Sequence, residues 1–175
     1  MALERLLAGE VVAIPTDTVY GVAVIPAYTH ALFALKERPA DVALPVLIAE
    51  PADAASYATF AVDLTDCWPG ALTIVGTRTG ESREWDLGGD PSTIGLRCPD
   101  DDDLRGLLRL TGPLVTTSAN KHGEPPCTTA PEVHAALGDD IFVINGGVRD
   151  GRPSTVVDAT QSPVRVLRQG AVVID

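Results

Sequence analysis

Thr93-Ile94-Gly95-Leu96-Arg97-Cys98-Pro99-Asp100-Asp101-Asp102-Asp103-Leu104 carries a strand, a stop and a helix start in one short run. Side chains on a strand alternate between its two faces. Ile94, Leu96 and Cys98 therefore point one way, into a core, and Thr93, Gly95 and Arg97 point the other way. Pro99 ends the strand. The acidic run Asp100–Asp103 caps the next element and suits the positive end of a helix predicted over Asp101–Leu110. Leu114–Thr117 returns as an apolar strand. A strand–helix–strand unit of this kind belongs to an α/β fold.

The pattern extends in both directions. Toward the N-terminus it predicts strands at Val11–Ile14, Pro45–Ala49 and Ala71–Val75. Helices are predicted at Ala2–Gly9, at Thr29–Glu37 and in the Ala-rich stretch Asp53–Ala61. In Thr29–Glu37, Thr29 serves as the cap, Leu32 and Leu35 share a face, and Pro39 is the stop. Toward the C-terminus, Ile141–Ile144, Thr155–Val157 and Val164–Leu167 read as further strands. There is no repeat, low-complexity tract or linker, and 175 residues suit one domain. The expected architecture is one α/β domain over residues 1–175, with a mixed sheet flanked by helices.

Composition narrows the function classes. With 24 acidic and 13 basic residues the net charge is −11, which disfavours a general nucleic-acid coat or an anionic-membrane binder. A local basic pocket stays open. The 16 glycines and 14 prolines favour many turns over a helical bundle. Cys67, Cys98 and Cys127 are far apart, which supports neither a disulfide framework nor a zinc site. His30, His122 and His134 are too scattered for a metal cage. No apolar run approaches the ~20 residues of a membrane span, so the expected setting is the cytoplasm.

Three polar segments follow strands directly: Pro15–Gly21, Ser118-Ala119-Asn120 and Asn145-Gly146-Gly147. Ligands of open α/β sheets bind outside strand ends, although each segment alone also suits an ordinary turn. Thr93 and Arg97 flank Gly95 on one strand face, which leaves room for an anion against the backbone or, equally, a solvated face with a surface Arg. Lys36-Glu37-Arg38-Pro39 places two cations where a helix ends. They either complement the helix dipole or clamp a polyphosphate. Neither a P-loop nor a Rossmann fingerprint is present.

Together these segments resemble one family. Pro15-Thr16-Asp17-Thr18-Val19-Tyr20-Gly21 resembles its P-T-[DE]-T-x-Y-G signature, and Lys36-Glu37-Arg38-Pro39 its K-x-R-P. Trp68-Pro69-Gly70-Ala71-Leu72-Thr73 resembles [WY]-P-G-x-L-T, and Gly95-Leu96-Arg97-Cys98-Pro99 the strand carrying the family's Arg. Ser118-Ala119-Asn120, Ser154-Thr155-Val156-Val157-Asp158 and Leu167-Arg168-Gln169-Gly170 follow in the family's order. The chain is identified by these motifs as similar to the YrdC/YciO-like threonylcarbamoyl-AMP synthases. Many close synthases carry Asn and His after K-x-R-P where Val42 and Leu47 stand here, a departure that leaves room for the YciO-like branch.

The resemblance implies a twisted, mixed to parallel sheet with a large concave pocket of the YrdC/RibB-like type, without the extra C-terminal domain of longer members. It implies that L-threonine, bicarbonate or carbon dioxide, and ATP give threonylcarbamoyl-adenylate and pyrophosphate, the work of a nucleotidyltransferase. A separate transferase then passes the group to an adenosine of tRNA. By motif, Thr18, Arg97, Ser118 and Ser154 would hold threonine or its carbamate. Lys36, Arg38, Thr93, Asn120, Thr128 and Arg168 would hold ATP, with Lys36 and Arg38 as the catalytic cations on the phosphates. Magnesium would arrive with the ATP, with no protein metal site. Replacing Arg97 by Lys, or Lys36 or Arg38 by Ala, is expected to damage turnover while sparing the fold. Two other readings stand beside this one. The first is an RNA-binding module using Lys36, Arg38, Lys121, Arg149, Arg152 and Arg168. The second is carbamoyl-adenylate chemistry on a different acceptor.

Overall fold

The computed structural model describes residues 1–37, 41–121 and 123–174; Arg38, Pro39, Ala40, His122 and Asp175 lie outside the described residues. Among the described residues ten strands form one mixed sheet: β1 (Val12–Pro15), β2 (Tyr20–Val24), β3 (Val46–Leu47), β4 (Ala58–Thr59), β5 (Leu72–Arg78), β6 (Thr93–Arg97), β7 (Leu114–Ser118), β8 (Phe142–Val143), β9 (Thr155–Asp158) and β10 (Arg165–Arg168). Their order is β10-β9-β5-β6-β3-β7-β2-β1-β8, with β4 added beside β5. The pairs β1–β8, β3–β6 and β5–β9 are parallel and the others antiparallel. Four α-helices among the described residues accompany the sheet: α1 (Ala2–Leu7), α2 (Thr29–Lys36), α3 (Asp102–Thr111) and α4 (Ala130–Leu137). Among the described residues no helix is long and apolar enough to cross a membrane.

Alternation sorts the strand side chains into two cores. Tyr20, Val22 and Val24 join Val46, Leu72, Ile74, Ile94, Leu96, Cys98 and Val157 in the larger one, which α2 reaches through Leu32. Val12, Ile14, Ala23, Leu47 and Leu114 face the other way, under Leu6 of α1 and Leu104 and Leu108 of α3. Burial on both faces explains why these strands read as short apolar runs. On β5, β6 and β9 the residues opposite the larger core, Thr73, Val75, Thr93, Gly95, Arg97 and Val156, face a cavity instead.

Local chemistry sets the element ends. Asp101 caps α3, its Oδ1 accepting from the Leu104 N–H at 2.9 Å. Glu50 ties α3 to the segment after β3, accepting from Arg105 at 2.5 Å and from Arg109 at 2.6 and 2.9 Å. Two predicted details change. Thr29 is the first residue of α2 rather than its cap, because its hydroxyl donates back to Pro26 O at 2.8 Å. The Ala-rich stretch forms a 3-10 turn, Pro51–Ser56, followed by β4. There the ring of Tyr57 packs on Trp85 at 5.2 Å and Ala58 pairs with Arg78, so tertiary contacts override helix propensity. The helix α2 ends at Lys36 with Glu37 in the left-handed region, φ 47°. Pro39, its expected stop, lies outside the described residues.

The cysteines are unlike one another. Cys98 is buried and its Sγ lies 3.4 Å from Ala49 O; burial pushes its thiol up to about 11. Burial also raises Cys127, with Glu132 adding to the effect, while Cys67 is exposed. Only thiolates react with disulfide reagents. At pH 8 the native protein is expected to release the chromophore of one thiol quickly and of three after denaturation. A Cys67→Ser variant that keeps the fast phase would contradict this assignment.

Candidate functional site

The cavity encloses about 380 Å³. Thr93 and Arg97 mark its length along β6. They lie four residues apart on one strand face, roughly 13 Å at the usual rise. Leu44, Leu47, Leu87 and Ile94 supply apolar wall. Close backbone approach makes part of this room. A Cβ on Gly21 would sit 2.9 Å from Thr116 Oγ1, and one on Gly95 would sit 3.3 Å from Thr73 Cγ2.

One end is built around Arg97. Its Nη2 donates to Asp17 Oδ1 at 2.6 Å, its Nη1 to Thr18 Oγ1 at 3.1 Å and its Nε to Gly70 O at 3.1 Å. Asp17 and Thr18 come from the turn between β1 and β2. Gly70 comes from the Trp68-Pro69-Gly70 turn, where Trp68 is buried and its Nε1 donates to Leu72 O at 2.7 Å. The Gly70 N–H donates to Cys98 O at 2.9 Å, so that turn is stitched to the end of the strand whose Arg it orients. Arg97 is only 6% exposed, a buried cation rather than a residue on a solvated face. The expectation that Arg97→Lys spares the fold is therefore corrected. Lysine cannot reach Asp17, Thr18 and Gly70 together. The substitution should cost about 1–3 kcal/mol through acceptors left unpaired, read as a lower denaturant midpoint beside lost turnover.

On the neighbouring strands at the same end, Ser154 Oγ lies 2.9 Å from Thr73 Oγ1 and accepts from Arg168 Nη2 at 3.1 Å; Arg168 also donates twice to Ser154 O, at 2.9 and 3.1 Å. Ser154 is thus grouped with Arg168 and Thr73. Ser118 lies at the end of β7, where its hydroxyl donates to Asn120 Oδ1 at 2.5 Å. Of the residues singled out by motif, Thr18, Thr93, Arg97, Ser118, Ser154 and Arg168 all border this cavity.

Lys36, Asn120 and Thr128 do not border it. Lys36 is buried, and its Nζ donates to Ser118 O at 2.9 Å, to Asn120 O and to Asn120 Oδ1 at 3.1 Å. The Asn120 amide nitrogen donates to Lys121 O at 3.0 Å and Glu124 O at 2.6 Å. Lys36 and Asn120 therefore shape the loop after β7. This corrects the expectation that Lys36→Ala leaves the fold intact, since the loop would lose the ammonium that ties Ser118 O, Asn120 O and Asn120 Oδ1 together. Thr128 borders a shallow neighbouring depression with Lys121 and Glu124, and its hydroxyl donates to Glu132 at 3.1 Å. Pro126 borders both hollows. Arg38 lies outside the described residues. Leu47 borders the cavity, whereas Val42 is exposed and does not.

The motifs gave no role to Asp17, Thr16 and Thr73. Asp17 had a signal, a carboxylate one residue from a site hydroxyl. Its partner is 80 residues away in sequence, a distance no local pattern spans.

Comparison with known proteins follows the same lines. A protein-family model for Sua5, YciO and YrdC, described as "Telomere recombination", matches residues 4–170. The threonylcarbamoyl-AMP synthase of Vibrio cholerae is 35% identical over 182 residues, covering 97% of this chain and 95% of that protein. The structure of P. abyssi Sua5 complexed with L-threonine superposes with a TM-score of 0.82 at 28% identity, covering 97% of this chain. This chain spans 53% of that longer protein. E. coli YciO superposes with a TM-score of 0.84 at 25% identity, covering 97% of this chain and 87% of the other. With its motifs in order, its mixed sheet and its Arg97-centred cavity, the chain belongs to the Sua5/YciO/YrdC family.

Proposed function

We propose that the chain is a threonylcarbamoyl-AMP synthase, a transferase of the nucleotidyltransferase kind. It would convert L-threonine, carbon dioxide or bicarbonate, and ATP to threonylcarbamoyl-adenylate and pyrophosphate. One observation carries the reading. A guanidinium has five N–H donors, and Arg97 spends three on Asp17, Thr18 and Gly70. Among the described residues one N–H on each terminal nitrogen is left without a partner, matching the two oxygens of an amino-acid carboxylate.

The chemistry in this reading needs positioning and charge neutralisation rather than a covalent nucleophile. The neutral amine of threonine adds through its lone pair to the carbon of carbon dioxide and loses a proton, giving a carbamate. A carbamate oxygen attacks the α-phosphorus as the bond to the pyrophosphate oxygen breaks. The roughly 13 Å between Arg97 and Thr93 leaves room for both ligands in one cavity. Ser118 and Ser154 would meet the threonine or its carbamate and Arg168 the nucleotide, while Lys36 and Asn120 support the wall loop. Asp17, the carboxylate at this end, is committed to Arg97, so magnesium enters this reading as part of the substrate, held by the nucleotide phosphates. The product is a reactive mixed anhydride. A tRNA-modifying transferase in the same cytoplasmic compartment would consume it.

The test is direct: purified protein, ATP, magnesium, bicarbonate and threonine, with mass spectrometry for the adenylate. Pyrophosphate release independent of threonine, or no adenylate at all, overturns the reading. Carbamoyl chemistry on another acceptor would show as faster release with a different amino acid. The RNA-binding alternative has weaker support, because its cations do not form one free face. Lys36 is buried on carbonyls, and Arg149 pairs with Asp101 at 3.2 Å.

A further inference from the structure

The β1–β2 turn orders its hydroxyl protons. The Thr16 hydroxyl lies 2.7 Å from Val19 O, a carbonyl that can only accept, so Thr16 spends its single proton there. Thr16 Oγ1 then acts as an acceptor, and its two lone pairs face three donors: the Thr18 N–H at 3.1 Å, the Val19 N–H at 3.3 Å and the Thr18 hydroxyl at 3.0 Å. The Thr18 hydroxyl is the nearest of the three, and with Thr16's proton already committed it is Thr18 that donates in this pair. Thr18 also accepts from Arg97 Nη1 at 3.1 Å. A hydroxyl has one proton and two lone pairs. Thr18, 2% exposed at the cavity wall, is left with one lone pair and no proton for a ligand.

We propose that Thr16 is a positioning and specificity-determining residue: by taking the Thr18 proton it makes Thr18 an acceptor only, so the site demands an amine N–H on the carbon next to the carboxylate. This deepens the synthase reading and rests on it for the identity of the amino acid. A carboxylate on Arg97 places its α-amine beside Thr18, since Thr18 is itself bonded to that guanidinium. Reversed binding, with a carboxylate oxygen on Thr18, would set two acceptors against each other. The carbamate nitrogen still carries one hydrogen, so Thr18 can hold the same nitrogen before and after carbon dioxide capture.

The experiment is calorimetric titration of the full chain with L-threonine and with R-β-hydroxybutyrate, which keeps the carboxylate, hydroxyl and methyl and lacks the amine. The parent protein is expected to prefer threonine by about 10- to 100-fold, the range of a hydrogen bond to a charged group. Thr16→Val frees the Thr18 proton and should shrink that preference by at least ~10-fold, while Thr16→Ser retains it. A Thr16→Val protein with the parent preference overturns the proposal. Should that variant not fold, Thr18→Val serves: a preference equal to the parent's then overturns it. The outcomes separate the two claims: preference without adenylate formation sinks only the synthase reading, adenylate formation with an unchanged preference in Thr16→Val sinks only the proton assignment, and no threonine binding sinks both.

Discussion

Asp17→Ala is expected to destabilise the protein by about 3–5 kcal/mol, the usual cost of removing one partner of a buried ion pair. The side chains of Arg97 and Asp17 are 8% and 10% exposed and meet at 2.6 Å. Without Asp17, a guanidinium would remain in a largely water-free site with only neutral acceptors, Thr18 Oγ1 and Gly70 O. Threonine binding should fall as well, because the fork would be free to turn. Urea unfolding reads the first effect and calorimetry the second. A double variant, Asp17→Ala with Arg97→Met, should recover most of the stability and none of the binding, since apolar replacement of both partners of a buried pair is often neutral. An unchanged denaturation midpoint in Asp17→Ala would mean that solvent, not Asp17, balances Arg97.

The second large effect concerns the K-x-R-P cations. Lys36→Ala should lower adenylate formation by at least ~10²-fold and also lower the melting temperature. Its ammonium joins the end of α2 to Ser118 and Asn120 across 82 and 84 residues of sequence. Removing it takes the ammonium from Asn120 O, while Ser118 O keeps the Asn120 N–H and Asn120 Oδ1 keeps the Ser118 hydroxyl, so the stability cost should be about 1–3 kcal/mol. Arg38→Ala should lower the rate by a similar factor with less effect on melting, if Arg38 acts on phosphate. The two rate effects should be less than additive, since Lys36 holds the loop beside the nucleotide on which Arg38 would act. A double variant close to the parent rate would reduce the motif to a helix terminus.

The comparison between Arg97 and Lys36 shows what a sequence can and cannot reveal. The side that Arg97 faces followed from period-two alternation, and β6 obeys it: Ile94, Leu96 and Cys98 are in the core. The burial of Arg97 did not follow, because Asp17 and Gly70 reach it from distant turns. Lys36 was legible as a cation at a helix end, yet its acceptors lie on another strand. Elements with strong local signals, such as α3 with its Asp101 cap, appeared near their expected bounds. β2 was hidden because its residues continue the polar signature Pro15–Gly21, whereas α4 carried a legible start, the Thr129 cap with Pro131 in the first turn, that the expected elements left out. The Ala-rich stretch misled because propensity is weak against the packing of Tyr57 on Trp85.

The alternation along β6 also limits where the chain can change length. A strand with core on one face and cavity on the other tolerates no odd slip: moving the register by one residue would turn Leu96 into the cavity and drive Arg97 toward the core. The same holds for β5, where Ile74 faces the core between Thr73 and Val75. Added or deleted residues must therefore be absorbed outside the strands. Between β5 and β6 that place is the stretch 79–92, whose 3-10 turn at Gly80–Glu84 leaves the paired register untouched. Single-residue insertions scanned through this region should be accepted in the connection and rejected within either strand.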